Sequence, residues 1–197
     1  MSSLTDPQKS LLLAIARRSI VAAVDGRESP QSLPEDQELR KPGGAFVTLH
    51  RGSRLRGCIG QLPGKDELIH VVAHCAGLAA LEDPRFPPLK RDDLAGLEIE
   101  ISVLSELEDI APQDIVPGTH GLMVSRDSAR GVLLPQVATQ MGWNAETFLE
   151  ETCVKAGLDR SAWKDPETRV QSFTAEVFSE SGFRANESSR ESYSIST

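Results

Sequence analysis

Apolar residues recur at helical spacing near the start of the chain. Leu11, Leu12, Ile15 and Ile20 fall on one stripe, which predicts a helix over residues 7–24. Thr5 or Asp6 is placed to cap it, and Pro7 suits its first turn. An acidic, proline-containing stretch, residues 26–42, reads as a surface connection. The pattern then shortens. Residues 45–49 and 55–62 read as the strands of a hairpin turned at 50–54. Residues 66–82 return to helical spacing, with Leu68, Val72, Cys75 and Ala79 on one face, until Asp83-Pro84-Arg85-Phe86-Pro87-Pro88 breaks the helix. The clearest strand is 97–103. Leu97, Ile99, Ile101 and Val103 point one way, and Glu98, Glu100 and Ser102 the other.

The second half has a similar order: a hairpin over 121–125 and 131–135, a helix capped by Asn144 and stopped at Gly157, and one strand over 170–178. An offset of 74 residues carries Arg56-Gly57 onto Arg130-Gly131, and Ile99, Ile101 and Val103 onto Phe173, Ala175 and Val177. The expectation is an α+β fold, a two-lobed mixed α/β domain with a duplicated hairpin–helix–strand unit. Residues 1–183 form the single domain, with lobes 1–110 and 111–183. The tail 184–197 carries few apolar residues and is expected to be disordered.

Composition narrows the function classes. The chain has 197 residues, 39% hydrophobic and 25% charged, enough to bury a core without disulfide or metal staples. A net charge of −8 repels phosphate backbones, so nucleic-acid binding is not expected, although Arg51, Arg54 and Arg56 form a local basic cluster. Three cysteines without a CxxC pair argue against a disulfide framework and a thiolate zinc site. Neither a signal-peptide pattern nor an apolar run of membrane length is present, which leads to the expectation of a cytoplasmic protein with no membrane contact.

Cys58 is the leading chemical candidate. It stands between Gly57 and Gly60, and Arg56 lies two residues away, on the same face of a regular strand. A guanidinium there would favour the nucleophilic thiolate; the alternative is a small, inert core cysteine. His120 opens the second hairpin and is a candidate base for Cys58, or a loop histidine bonded to backbone. Arg85 either fixes its turn with Asp83 or meets an anionic ligand, and Gln136 presents an amide or merely starts a new segment. The expectation is one cleft lined by Arg56, Cys58 and His120, with Arg85 and Gln136 at its rim. His70 and His74 have metal-ligand spacing on a helix, but the segment lacks the Glu of HExxH and a marked third ligand. A solvated pair is favoured, and neither bound metal nor cofactor is expected. Trp143, Phe148, Leu149 and Trp163 read as core.

Leu55-Arg56-Gly57-Cys58-Ile59-Gly60 resembles the signature hexapeptide of the AMME-candidate-region (AMMECR) domain. Asp83-Pro84-Arg85-Phe86, Gly118-Thr119-His120-Gly121-Leu122, the run 131–138, Phe148-Leu149, the run 153–158 and Trp163 continue the resemblance in order, over residues 5–180. The resemblance implies a two-lobed α+β fold and, for the microbial AmmeMemoRadiSam type, association with a Memo-like protein and a radical-SAM protein. It implies no particular reaction. Two functions stay open. One is an enzyme or substrate-handling component with Cys58 and His120 as catalytic candidates and Arg56, Gly57, Gly60, Arg85 and Gln136 holding an unknown small molecule. The other is a non-catalytic adaptor.

Overall fold

The computed structural model describes residues 3–28 and 33–183; the expected disordered tail, 184–197, lies outside them. The chain divides into two units. Among the described residues, the first comprises those up to 103 together with 176–183, and the second residues 104–175.

In the first unit, α1 (Asp6–Val24) starts after Thr5, whose backbone N–H and hydroxyl both donate to Gln8 Oε1. The Gln8 side chain thereby satisfies a backbone donor that the helix cannot use. Strands β1 (Gly44–Arg51) and β2 (Arg54–Gln61) form the antiparallel hairpin, α2 (Leu68–Leu81) follows, and β3 (Leu97–Leu104) returns to the sheet. The strand order is β2-β1-β3-β8, where β8 is Ala175–Ser179. Helix α2 packs on β1 and β2, and α1 packs on α2. Leu97, Ile99, Ile101 and Val103 are all buried in this core, as their alternation requires. Ser102, on the opposite parity, is buried too.

Residues 36–41 of the acidic connection prove structural. Asp36 Oδ1 accepts the N–H groups of Glu38 and Leu39, and Gln8 Nε2 donates to the same carboxylate. The turn thus held drives Leu39 fully into the core. The carbonyls of Leu39 and Lys41 then accept the N–H groups of Ile69 and Leu68. Backbone therefore plugs the orphan donors at the start of α2.

The second unit contains β4 (Glu108–Asp109), β5 (Gly121–Arg126), β6 (Ala129–Leu133), α3 (Pro135–Met141), α4 (Ala145–Lys155) and β7 (Arg169–Phe173), with sheet order β4-β7-β5-β6. Its core joins Leu122, Val124, Phe148, Leu149 and Cys153, with Trp143 and Trp163 packed partly buried against it. Pro135 opens α3 instead of ending a strand. The Asn144 side chain accepts the Thr147 N–H at 2.8 Å and caps α4. Asn144→Ala should therefore cost about 1 kcal/mol, read as a lower urea midpoint at unchanged slope.

The single strand expected over 170–178 is two strands in different sheets. The chain breaks at Thr174, whose N–H donates to Ser105 Oγ and whose carbonyl accepts the Ser105 N–H. The ladder bonds are thereby diverted, and the next five residues become β8 of the first sheet. The offset of 74 residues fails for Ala175 and Val177, which lie in β8, with Val177 47% exposed. The two sheets nevertheless share an order: second hairpin strand, first hairpin strand, returning strand and one extra strand. The extra strand of each sheet follows, in sequence, the returning strand of the other.

Candidate functional site

The hexapeptide occupies β2, at the edge of the first sheet. Its parity is settled by Gly57. A Cβ there would point at the backbone of α2 and lie 2.1 Å from the Ala79 carbonyl oxygen. Cys58 therefore projects from the opposite face of the strand. The hairpin carries a bulge whose extra residue is Arg56: Leu49 pairs with Gly57 and the next residue, His50, with Leu55, so Arg56 stands outside the regular alternation of β2. Beside Gly60 the Phe46 ring fills the space, 2.3 Å from where a Cβ would sit. Both glycines thus admit neighbouring protein atoms.

Cys58 faces Thr48 across the hairpin, and the Thr48 hydroxyl donates to its Sγ at 3.3 Å. Such close side chains mark a pair without mutual ladder bonds, so the Cys58 backbone groups point outward from the edge. The helix-breaking turn meets them there. Asp83 Oδ2 accepts the Cys58 N–H at 2.8 Å, and Arg85 Nη2 donates to the Cys58 carbonyl at 3.2 Å. Arg85 also grips Asp83 through Nε and Nη2, at 2.9 and 2.7 Å, while the Arg85 backbone N–H donates to Oδ1. Two side chains thus supply what a neighbouring strand would, and they seal the edge against pairing at Cys58.

The electrostatics follow from these contacts. The Asp83 side chain is only 2% exposed, yet hydrogen bonds from Arg85 hold its pKa down at about 2. The guanidinium does not make Cys58 a thiolate. Burial pushes the thiol above its ordinary value and outweighs the lowering by Thr48 and Arg85, and Asp83 adds a further upward push. Cys75, buried in α2, is pushed up to about 11 by burial and by its proximity to Cys58. All three cysteines are free.

Arg56 reaches from β2 to the same turn, where Nη2 donates to the Pro87 carbonyl at 3.3 Å. The Arg56 and Arg85 guanidiniums border one ring, that of Phe86, at 6.0 and 5.4 Å from its centroid. Their charges differ in compensation. Arg85 is neutralised by Asp83, whereas Arg56 has no carboxylate at ion-pair distance among the described residues, and its Nη1 is buried without an acceptor. Asp83, Phe86 and Thr48 complete the setting; the sequence marked Asp83 and Phe86 only as a turn and Thr48 not at all, because it is the hairpin register that sets Thr48 opposite Cys58.

His120 and Gln136 belong to the second unit. His120 Nδ1 accepts the Val116 N–H at 3.1 Å. The neutral ring therefore carries its proton on Nε2, which donates and does not accept. Gln136 is the second residue of α3, and its carbonyl accepts the Thr139 hydroxyl. Gly131 occupies on β6 the place that Gly57 occupies on β2: a Cβ would lie 2.3 Å from Ala156 N and 2.6 Å from Thr152 O. No group of three or more His, Cys, Asp or Glu side chains among the described residues is placed to hold a metal. No described helix is long and apolar enough to cross a membrane.

Comparison with known proteins agrees with this architecture. Residues 13–178 match the sequence model of the AMMECR1 family. A Methanothermobacter thermautotrophicus protein is 44% identical over 181 residues, covering 87% of this chain and 93% of its own. A Thermococcus gammatolerans protein is 41% identical, covering 91% of this chain and 94% of its own. The crystal structure of an uncharacterized Pyrococcus horikoshii protein is similar in fold, with a TM-score of 0.82 at 40% identity over 90% of this chain and 93% of that one.

Proposed function

The chain belongs to the AMMECR1 family, and we propose that it is a substrate-handling component that holds the anionic group of a small molecule at the Arg56–Phe86–Arg85 face. In this reading it works in the cytoplasm alongside a Memo-like protein and a radical-SAM protein, which carry out the chemistry. One observation carries the reading. Arg56 keeps an uncompensated charge and a buried N–H without an acceptor beside the Phe86 ring. Carboxylate and phosphate oxygens are the natural partners of such a guanidinium. The neutral Cys58 thiol and the Nε2-protonated His120 favour binding over nucleophilic catalysis.

The test is untargeted metabolite capture on purified protein, read by mass spectrometry, with wild type, Arg56→Ala and Cys58→Ala compared. Carboxylate- or phosphate-bearing compounds should be enriched on wild type and Cys58→Ala and lost from Arg56→Ala. Retention by Arg56→Ala with loss from Cys58→Ala would transfer the site to the thiol and overturn the reading. A second measurement is independent of the ligand. Alkylation of Cys58 by iodoacetamide near neutral pH should be at least about tenfold slower than that of an unstructured cysteine peptide, since the thiolate is the reactive form. A rate equal to or above that of the peptide would restore the nucleophile.

A further inference from the structure

The end of the first hairpin carries charge that its turn does not require. Arg51 of β1 and Arg54 of β2 are direct cross-strand partners, so their side chains leave the same face of the hairpin. Like charges placed in this way oppose strand pairing. The hairpin of the second unit also closes through a two-residue turn, with Asp127 at a φ of 53° where Gly52 has 59°. There Arg126 faces Ala129 and is held by Asp165. The first hairpin lacks such compensation. Residues 39–65 contain six Lys and Arg residues and no Asp or Glu, in a chain of net charge −8. Arg40 and Lys41 are held by Glu67 and Glu38. Arg51 is exposed, and its contact with Asp93 is long, at 3.4 Å. Arg54 is exposed and has no carboxylate at ion-pair distance among the described residues. Beside it Leu55 is 36% exposed, and the Cβ direction of Gly52 opens on empty space.

We infer that this hairpin end docks a short acidic segment of a partner protein, whose carboxylates meet Arg51 and Arg54 and whose apolar side chain covers Leu55. Guanidinium and carboxylate match in charge and in fork geometry. A small molecule needs a concavity, which an open turn does not offer. Screening confines the attraction to about 8 Å at physiological salt. A short segment therefore feels the arginines, whereas a nucleic acid or an anionic membrane would extend over a surface whose net charge repels it. The inference goes beyond the anion site at Arg56 and does not depend on it.

The experiment is fluorescence anisotropy of a labelled peptide of glutamates flanking a leucine, titrated with full-length wild type, Arg51→Gln, Arg54→Gln and the double variant. Wild type should bind saturably. Each single variant should bind about threefold more weakly and the double variant about tenfold, as loss of one and of two exposed ion pairs implies. Added salt should weaken binding, and so should glycine in place of the peptide's leucine. Arg54→Glu should lose the peptide yet melt no lower than wild type, because it turns a like-charge pair into an opposite-charge one. The double variant should capture the same metabolites as wild type, so that failure here leaves the Arg56 reading standing. Equal binding by wild type and the double variant overturns the inference, as does the absence of saturable binding by wild type. Tighter binding of an oligothymidylate or of phosphatidylserine vesicles, lost in the double variant, overturns it in favour of a nucleic acid or a membrane. A dimer in sedimentation that dissociates in the double variant overturns it in favour of a second copy of this chain.

Discussion

Asp83→Ala is expected to destabilise the protein by about 1–3 kcal/mol, the penalty for leaving hydrogen-bond donors unsatisfied, since the half-exposed Arg85 guanidinium can return to water. The carboxylate accepts from the Cys58 N–H, the Arg85 N–H and two guanidinium nitrogens, and its removal takes away their shared acceptor. It also unseals the edge of β2, so the variant should aggregate more readily on partial unfolding. The same residue sets an acid limit. Its pKa falls from 3.8 to about 2 on folding. A depressed carboxylate contributes stability that is complete above its unfolded pKa and is lost as pH falls through the folded one. Wild-type stability should therefore decline between pH 4 and pH 2, with about 2 kcal/mol of the loss assignable to this group, and Asp83→Asn should lack that share. Urea unfolding across this range measures both effects. A change below about 1 kcal/mol in Asp83→Ala would show that water replaces the carboxylate at little cost, and that the clamp is not what holds the edge.

Gly57→Ala should cost about 3 kcal/mol or more, near the upper end for overpacking. The added carbon would stand 2.1 Å from the Ala79 carbonyl oxygen, a backbone atom that cannot swing aside like the end of a side chain. Either β2 or α2 must move, and β2 carries the outward groups of Cys58 that Asp83 and Arg85 engage. Gly131→Ala should behave alike, because its Cβ would meet the backbone of Thr152 in α4 and of Ala156, which caps it. Gly52→Ala is the contrast. No atom lies near its Cβ direction, but its φ of +59° imposes only the smaller strain of a left-handed residue. Denaturant midpoints of the three variants should rank Gly57 and Gly131 together, well below Gly52. If Gly57→Ala is no worse than Gly52→Ala, the strand–helix contact is looser than its geometry implies.

What the sequence determined by itself was the set of strong local elements. Leu11 to Ile20 carry a 3.6-residue stripe, Leu97 to Val103 a two-residue alternation, and Asn144 a cap, and each signal is local because its cause is local. The motif series also placed the family. Long-range contacts decided the rest. One apolar stretch became β7 and β8 because Ser105, far away in the chain, takes the Thr174 backbone groups. Residues 36–41 of the acidic connection are fixed because the carbonyls of Leu39 and Lys41 complete α2.

The site divides in the same way. Sequence parity puts Arg56 and Cys58 on one strand face, but the hairpin register leaves Arg56 as a bulged residue outside that alternation; the Pro-rich turn drew attention to Asp83 and Arg85. The charge state of the thiol was not legible, because it depends on burial, on Thr48 across the hairpin and on a carboxylate brought 25 residues back to the Cys58 N–H. Proximity of Arg56 in sequence suggested a thiolate, but desolvation in the folded chain outweighs the guanidinium that does reach Cys58, which is Arg85. The hexapeptide pattern is therefore written in the sequence, whereas its chemistry is set by tertiary burial, because a pKa responds to everything packed around the group and not to its neighbours along the chain.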